Sequence, residues 1–270
     1  MSRKVLIPKE HGTWAMLLIP YSIGVAVSGG FSTKTIYGLV GVLMLFLSRP
    51  SLMILLKERQ FHGRYPVGAR KLWFNFGIPA VSGMGVFFWL FIKYSLWQLL
   101  LIGWVGIVLF LLYTWCTLHR MERAFFGQIV GILMLTFTTT LAVYISRGRL
   151  TREAFILWLL NALYFTLSVF YIKMRVRTST CRDGLATNRV KFALAKNCLA
   201  YLTILMLIIV ILILTQWVPV LVVLAFVPVT AHTLWGTITL QPKLEIMREG
   251  LIQTGLALIF AVLVIISYRI

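Results

Sequence analysis

An arginine stands inside a run of apolar residues: Arg49, followed by Pro50, interrupts GLVGVLMLFLSRPSLMILL. A guanidinium presents a planar fork of donors that meets phosphate or carboxylate bidentately. Placed about seven residues from the end of its apolar run, Arg49 lies ~10 Å deep at ~1.5 Å per residue, where an unpaired cation costs several kcal/mol unless it meets water or a partner. Pro50 frees a carbonyl of the preceding turn, a geometry tolerated beside a cavity. The chemistry that suits this pair is anion recognition below the membrane surface. The competing reading is a structural one, in which Arg49 snorkels to lipid phosphates or pairs with Glu10.

Around it the sequence offers a sparse set of partners. Glu10 and His11 precede the first apolar run and can act as an acid–base pair or as a helix cap. Lys57, Glu58 and Arg59 open a basic run, KERQFHGRYPVGARK, from Lys57 to Lys71; a second basic run from Lys173 to Lys196 contains Arg177 and Asp183. Asn75 and His232 lie in apolar segments towards the same side as these runs, as do Gln128, Asn197 and Gln253. These expectations gather Glu10, His11, Arg49, Lys57, Glu58, Arg59, Asn75, Arg177, Asp183 and His232 as candidate ligand-binding residues, and assign no catalytic residue. His232 reads more readily as a hydrogen-bonded core histidine than as a ligand. Four dispersed histidines without an H-x-x-x-H pair, and three cysteines, Cys116, Cys181 and Cys198, without C-x-x-C spacing, give no ligand set for a metal or haem. Nucleophile elbow, Walker loop, dinucleotide fingerprint and zinc-protease helix are all missing from the sequence.

The elements that must position these residues are membrane spans. Of 270 residues, 60% are hydrophobic and 12% charged, which reads as an all-α polytopic membrane protein. Windows of the length that crosses ~30 Å of hydrocarbon fall at roughly 12–29, 36–56, 73–92, 96–116, 124–146, 152–173, 197–215, 218–236 and 250–268. They predict one membrane domain of nine transmembrane helices over 1–270, in a multi-pass protein of the cell membrane. The division at Thr215, Gln216, Trp217 and Pro219 is the least marked. With the N-terminus cytosolic, 20 of the 26 lysines and arginines fall in inner segments and six in outer ones; the C-terminus is then outside. The net charge of +19 follows from these loops, so nucleic acid is not an expected partner. An Ala26-Val27-Ser28 tripeptide imitates a signal-peptide cleavage site, but Glu10, His11 and Pro20 favour a retained first helix. Tryptophans near the ends of the windows suit an aromatic belt, and Gly127 with Gly131 suits close helix approach.

The segment PKEHGTWAMLLIPYSIG, with SRPSLMILLKERQ after it, resembles the YwiC-like family of bacterial integral membrane proteins, through Pro8, Lys9, Glu10, His11, Gly12, Trp14 and the Arg49-Pro50 pair. More remotely, the layout is similar to the UbiA-type prenyltransferases, which have nine helices and place two active-site motifs in the cytosolic regions after helices two and six. That resemblance implies a UbiA-like bundle and an isoprenyl diphosphate held through magnesium on aspartate-rich motifs. At the matching places this chain has Glu58 and Asp183 among many cations, too few carboxylates for the usual magnesium site, so no cofactor is assigned. Three functions stay open: direct binding of a polyprenyl phosphate or other anionic amphiphile by arginines and lysines, with or without prenyl-transfer chemistry; membrane transport; and a non-enzymatic assembly role for a basic face that binds anionic lipid.

Overall fold

A computed structural model describes residues 11–66, 68–121, 124–180, 188–239 and 245–270. These form ten α-helices, and among the described residues there is no strand: α1 (His11–Val27), α2 (Thr33–His62), α3 (Ala69–Tyr94), α4 (Leu99–Leu118), α5 (Phe125–Thr136), α6 (Thr138–Arg147), α7 (Arg152–Thr180), α8 (Asn188–Leu214), α9 (Val222–Thr239) and α10 (Ile246–Arg269). Helices α5 and α6 form one span with a single-residue turn at Phe137, where threonine hydroxyls bond to nearby carbonyls: Thr136 to Ile132 at 2.7 Å and Thr138 to Leu135 at 2.9 Å. With that pair counted once, eight helices are long and apolar enough to cross a membrane, and α1 is a shorter apolar helix. The nine apolar windows of the sequence correspond to these nine segments.

Two helices run further than hydropathy alone predicts. Helix α2 continues through Pro50 to His62, and Gly63 ends it in the left-handed region at φ 67°, its N–H bonded to the Arg59 carbonyl. Lys57, Glu58 and Arg59 therefore stand on a helix, not in a loop. Helix α7 likewise passes Lys173 and reaches Thr180. Lysine, glutamate, arginine and glutamine are good helix formers, so a polar flank leaves the membrane without ending the helix. Between α8 and α9, Gln216 adopts a left-handed φ of 55°, and the expected turn near Thr215 to Pro219 is present.

The chain folds as two compact units that divide within α7, between Trp158 and Leu159. In the first, Leu17, Tyr21 and Val25 of α1 pack with Val42 and Phe46 of α2 and with Leu135 and Ala142. Gly24 lets α1 and α6 touch, since a Cβ there would meet the Thr139 carbonyl oxygen at 2.7 Å. One end of this unit is tied by polar contacts: Tyr144 accepts from the Gln98 N–H at 3.0 Å, Gln98 accepts from the Leu150 N–H at 2.8 Å, and Arg147 pairs with Glu153. The opposite end carries the cations of the α2–α3 connection.

The second unit has an aromatic centre, with Tyr164 stacked on Phe260 at 4.2 Å and Phe226 edge-on to Phe260 at 5.1 Å. Its part of α7 presents Asn161, Tyr164, Ser168, Tyr171, Arg175 and Thr178, at alternating three- and four-residue spacing, all buried. That spacing is one helix face.

Candidate functional site

The Arg49 side chain is half-buried. Its guanidinium carbon stands 4.1 Å above the centroid of the Tyr113 ring, a separation at which the negative face of the ring attracts the cation. Tyr113 belongs to α4 and packs on α5 at Gly131, where a Cβ would come within 3.0 Å of the ring. So Gly131, the second glycine of the G-x-x-x-G spacing, makes room for the aromatic support of the arginine. One turn towards the basic end, α4 carries Thr117 and α5 carries Gln128; Thr117 Oγ1 and Gln128 Oε1 are buried without a hydrogen-bond partner among the described residues. Among the described residues no carboxylate pairs with Arg49. Arg49 stands near the middle of α2, level with Tyr113, while Thr117 is close to the end of α4 and Gln128 close to the start of α5.

Outside this inner group the end of the unit is a basic rim laid on aromatic rings. Arg59 donates to the Tyr65 hydroxyl at 3.0 Å, Arg120 stacks over Phe61 at 4.5 Å, and Arg70 lies 5.9 Å from the Phe74 ring. Glu58 meets His62 one turn on, at 3.0 Å with both side chains largely exposed. Such an arrangement can hold an oxyanion by charge and directed N–H groups beside the exposed rings of Phe61, Tyr65 and Phe74. Among the described residues no three His, Cys, Asp or Glu side chains gather as a metal set.

Of the residues singled out by sequence, Arg49, Lys57, Glu58, Arg59 and half-buried Asn75 share the first unit; Arg177, exposed on α7, and His232, half-buried on α9, belong to the second. Glu10 and Asp183 lie outside the described residues, as does the side chain of His11, whose backbone opens α1. Sequence reasoning missed Tyr113 and Thr117, which look like ordinary span residues until α5 is packed beside them. It also missed Arg175 and Glu249. Arg175 is 6% exposed and pairs with Glu249 at 3.2 Å. Two signals could have found them: Arg175 follows Tyr171 by one helical turn, and Glu249 is one of only seven acids in the chain.

The model of the YwiC-like protein family matches residues 7–144. A Bacillus subtilis (strain 168) protein named "Uncharacterized protein YwiC" is 30% identical over 177 residues, which cover 64% of this chain and 68% of that protein. The chain belongs to the YwiC-like family. No solved structure matches it. The YwiC-like match contains every residue of the Arg49 group, and it ends before Arg175, His232 and Glu249.

Proposed function

We propose that this YwiC-like membrane protein binds the anionic end of an amphiphile at the basic end of its first unit, with Arg49 as the inner contact. The observation that carries the reading is Arg49 itself, a cation in a span whose face rests on Tyr113 at 4.1 Å while its donors point to no carboxylate among the described residues. A phosphate headgroup supplies the missing charge, and its apolar tail stays in the bilayer. Thr117 and Gln128 complete the polar lining, and Arg59 with Lys57 draws the headgroup from the rim. In this reading the basic end faces the cytosol at the cell membrane, with the N-terminus inside and the C-terminus outside, supported by the 20 to six division of cations. The remote resemblance to UbiA-type enzymes makes a polyprenyl phosphate the first ligand to try.

Titration of the purified protein in nanodiscs with a polyprenyl phosphate, followed by native mass spectrometry, tests this. Arg49→Gln is expected to weaken binding about tenfold to a hundredfold, as for loss of a charge-assisted hydrogen bond. Unchanged affinity in that variant overturns the reading. If no phosphorylated lipid binds at all, a transport or assembly role takes its place.

A further inference from the structure

The second unit carries charge of its own inside the bundle. Arg175 of α7 reaches Glu249 of α10 with two nitrogens, Nη2 at 3.2 Å and Nε at 3.3 Å, both directed at Oε1. The other carboxylate oxygen, Oε2, is turned towards His232 Nε2 of α9, 4.0 Å away. Among the described residues neither Oε2 nor Nε2 has a hydrogen bond, and both amide atoms of Gln253, one turn further along α10 and 8% exposed, are also without one. A gap of 4.0 Å is too long for a direct hydrogen bond and is one that a single water molecule can bridge.

The imidazole is held in place. Its ring lies 4.9 Å from that of Tyr171, which is buried and occupies the space left by Gly236, where a Cβ would come within 2.5 Å of the phenol ring. A buried ring nitrogen takes its partner from the protein or from ordered water. His232 Nε2 has no hydrogen bond among the described residues, and the charged group set against it is the Glu249 carboxylate.

The charged and titratable groups around this histidine are Arg175 and Tyr171 from α7 and Glu249 from α10, with the Cys198 thiol of α8 beyond Tyr171. Arg175 and Glu249 cancel in charge, so the imidazole is the member of the cluster suited to change charge near neutral pH. A proton on Nε2 meets Glu249 Oε2, while the other carboxylate oxygen accepts from Arg175. Access to water is short. His232 is seven residues from the end of α9 and Glu249 three from the start of α10, so both lie within ~10 Å of the helix ends at ~1.5 Å per residue.

We propose that His232 and Glu249 form a proton-binding site, in which one proton taken from the aqueous face is held between Nε2 and Oε2 and released to the same face, with Arg175 as the residue that positions the carboxylate. This goes beyond the anionic-amphiphile reading and does not depend on it. The proton adds to the neutral imidazole, an ion pair with Glu249 forms, and both are undone when the proton leaves.

Ring-nitrogen NMR of the full chain, labelled with ¹⁵N-histidine in nanodiscs, tests the site, with the His232 signal assigned by its loss in His232→Gln. In the unsubstituted protein the signal is expected to pass from the neutral to the imidazolium position as pH falls through the range of about 5 to 8. Glu249→Gln keeps the shape and removes the charge, so the midpoint should fall by about one pH unit or more, a tenfold loss in proton affinity. If that variant does not fold, Glu249→Asp keeps the charge opposite Arg175 but draws the carboxylate away from Nε2, and the midpoint should fall by a smaller step. A His232 signal that stays neutral down to about pH 4, well below the ordinary histidine range, overturns the proposal. So does a midpoint that neither variant moves.

Discussion

Arg49 and Arg175 are both arginines within membrane helices, and they are treated in opposite ways. Arg49 is half-buried, lies on a ring and has no acid beside it among the described residues; Arg175 is buried and gripped by Glu249. An arginine paired with a carboxylate has its charge answered inside the fold, so the reactive neighbour in the second unit is the histidine at the far side of that carboxylate. An arginine stacked on tyrosine has no carboxylate answering its charge among the described residues, and in the proposed reading that cation is the binding group. On that reading the same side chain is a clamp in one place and a receptor in the other.

Stability measurements break this comparison most directly. Glu249→Ala removes the carboxylate that grips buried Arg175, and breaking a buried pair on one side carries an expected loss of about 3 to 5 kcal/mol, read as a large fall in the apparent unfolding temperature in nanodiscs. Arg49→Ala should cost under about 1 kcal/mol, the scale of an exposed or partly exposed cation–π contact. Equal losses would mean that Arg49 is a structural clamp as well. The next effect concerns ligand: the Arg49→Gln loss of about 1.5 to 3 kcal/mol in anion binding should have no counterpart in Arg175→Gln, once that variant is shown to be folded.

The contrast was only half legible in the sequence. Arg49 stood out because apolar residues flank it on both sides, and depth alone made it a candidate. Arg175 was hidden by its neighbours Lys173 and Arg177, which made the whole segment read as a cytosolic loop. A hydropathy window ends where charge begins, whereas a helix ends where its hydrogen bonds do, and α7 continues to Thr180. The nine apolar segments were legible for the opposite reason, since burial in hydrocarbon constrains composition over ~20 residues at a time. What could not be read was which side chains meet across helices. Tyr113 under Arg49 and Tyr171 under His232 each depend on a glycine in a neighbouring helix, and nothing in either segment names the other.

Those two glycines sharpen the comparison at a smaller scale. At Gly236 a Cβ would meet a buried ring at 2.5 Å, and at Gly131 it would meet a half-buried ring at 3.0 Å. Tyr171 has no room to withdraw, so Gly236→Ala should destabilise by about 1 to 3 kcal/mol, the usual result of overpacking. Tyr113 can shift by a few tenths of an ångström, so Gly131→Ala should cost less than about 1 kcal/mol and act mainly on anion affinity, by tilting the platform beneath Arg49. Thermal unfolding of both variants, with lipid titration of the second, checks the pair.

The smallest expected effect belongs to Glu58, and it bears on how the anion is held. A carboxylate close to the basic rim is what a magnesium-assisted phosphate site would need, and Glu58 is the acid on this part of α2. In the structure it faces His62 at 3.0 Å across one helical turn, with both side chains largely exposed, a pairing worth about 0.5 kcal/mol or less. If cations hold the headgroup directly, Glu58→Gln removes a nearby negative charge and no ligand, so affinity for a polyprenyl phosphate should stay within about twofold or rise slightly, under ~0.5 kcal/mol. A chelator should leave binding unchanged for the same reason. Should chelation and Glu58→Gln each abolish binding, the headgroup is held through a metal on Glu58, and Arg49 is a second contact to an anion whose charge the metal already answers.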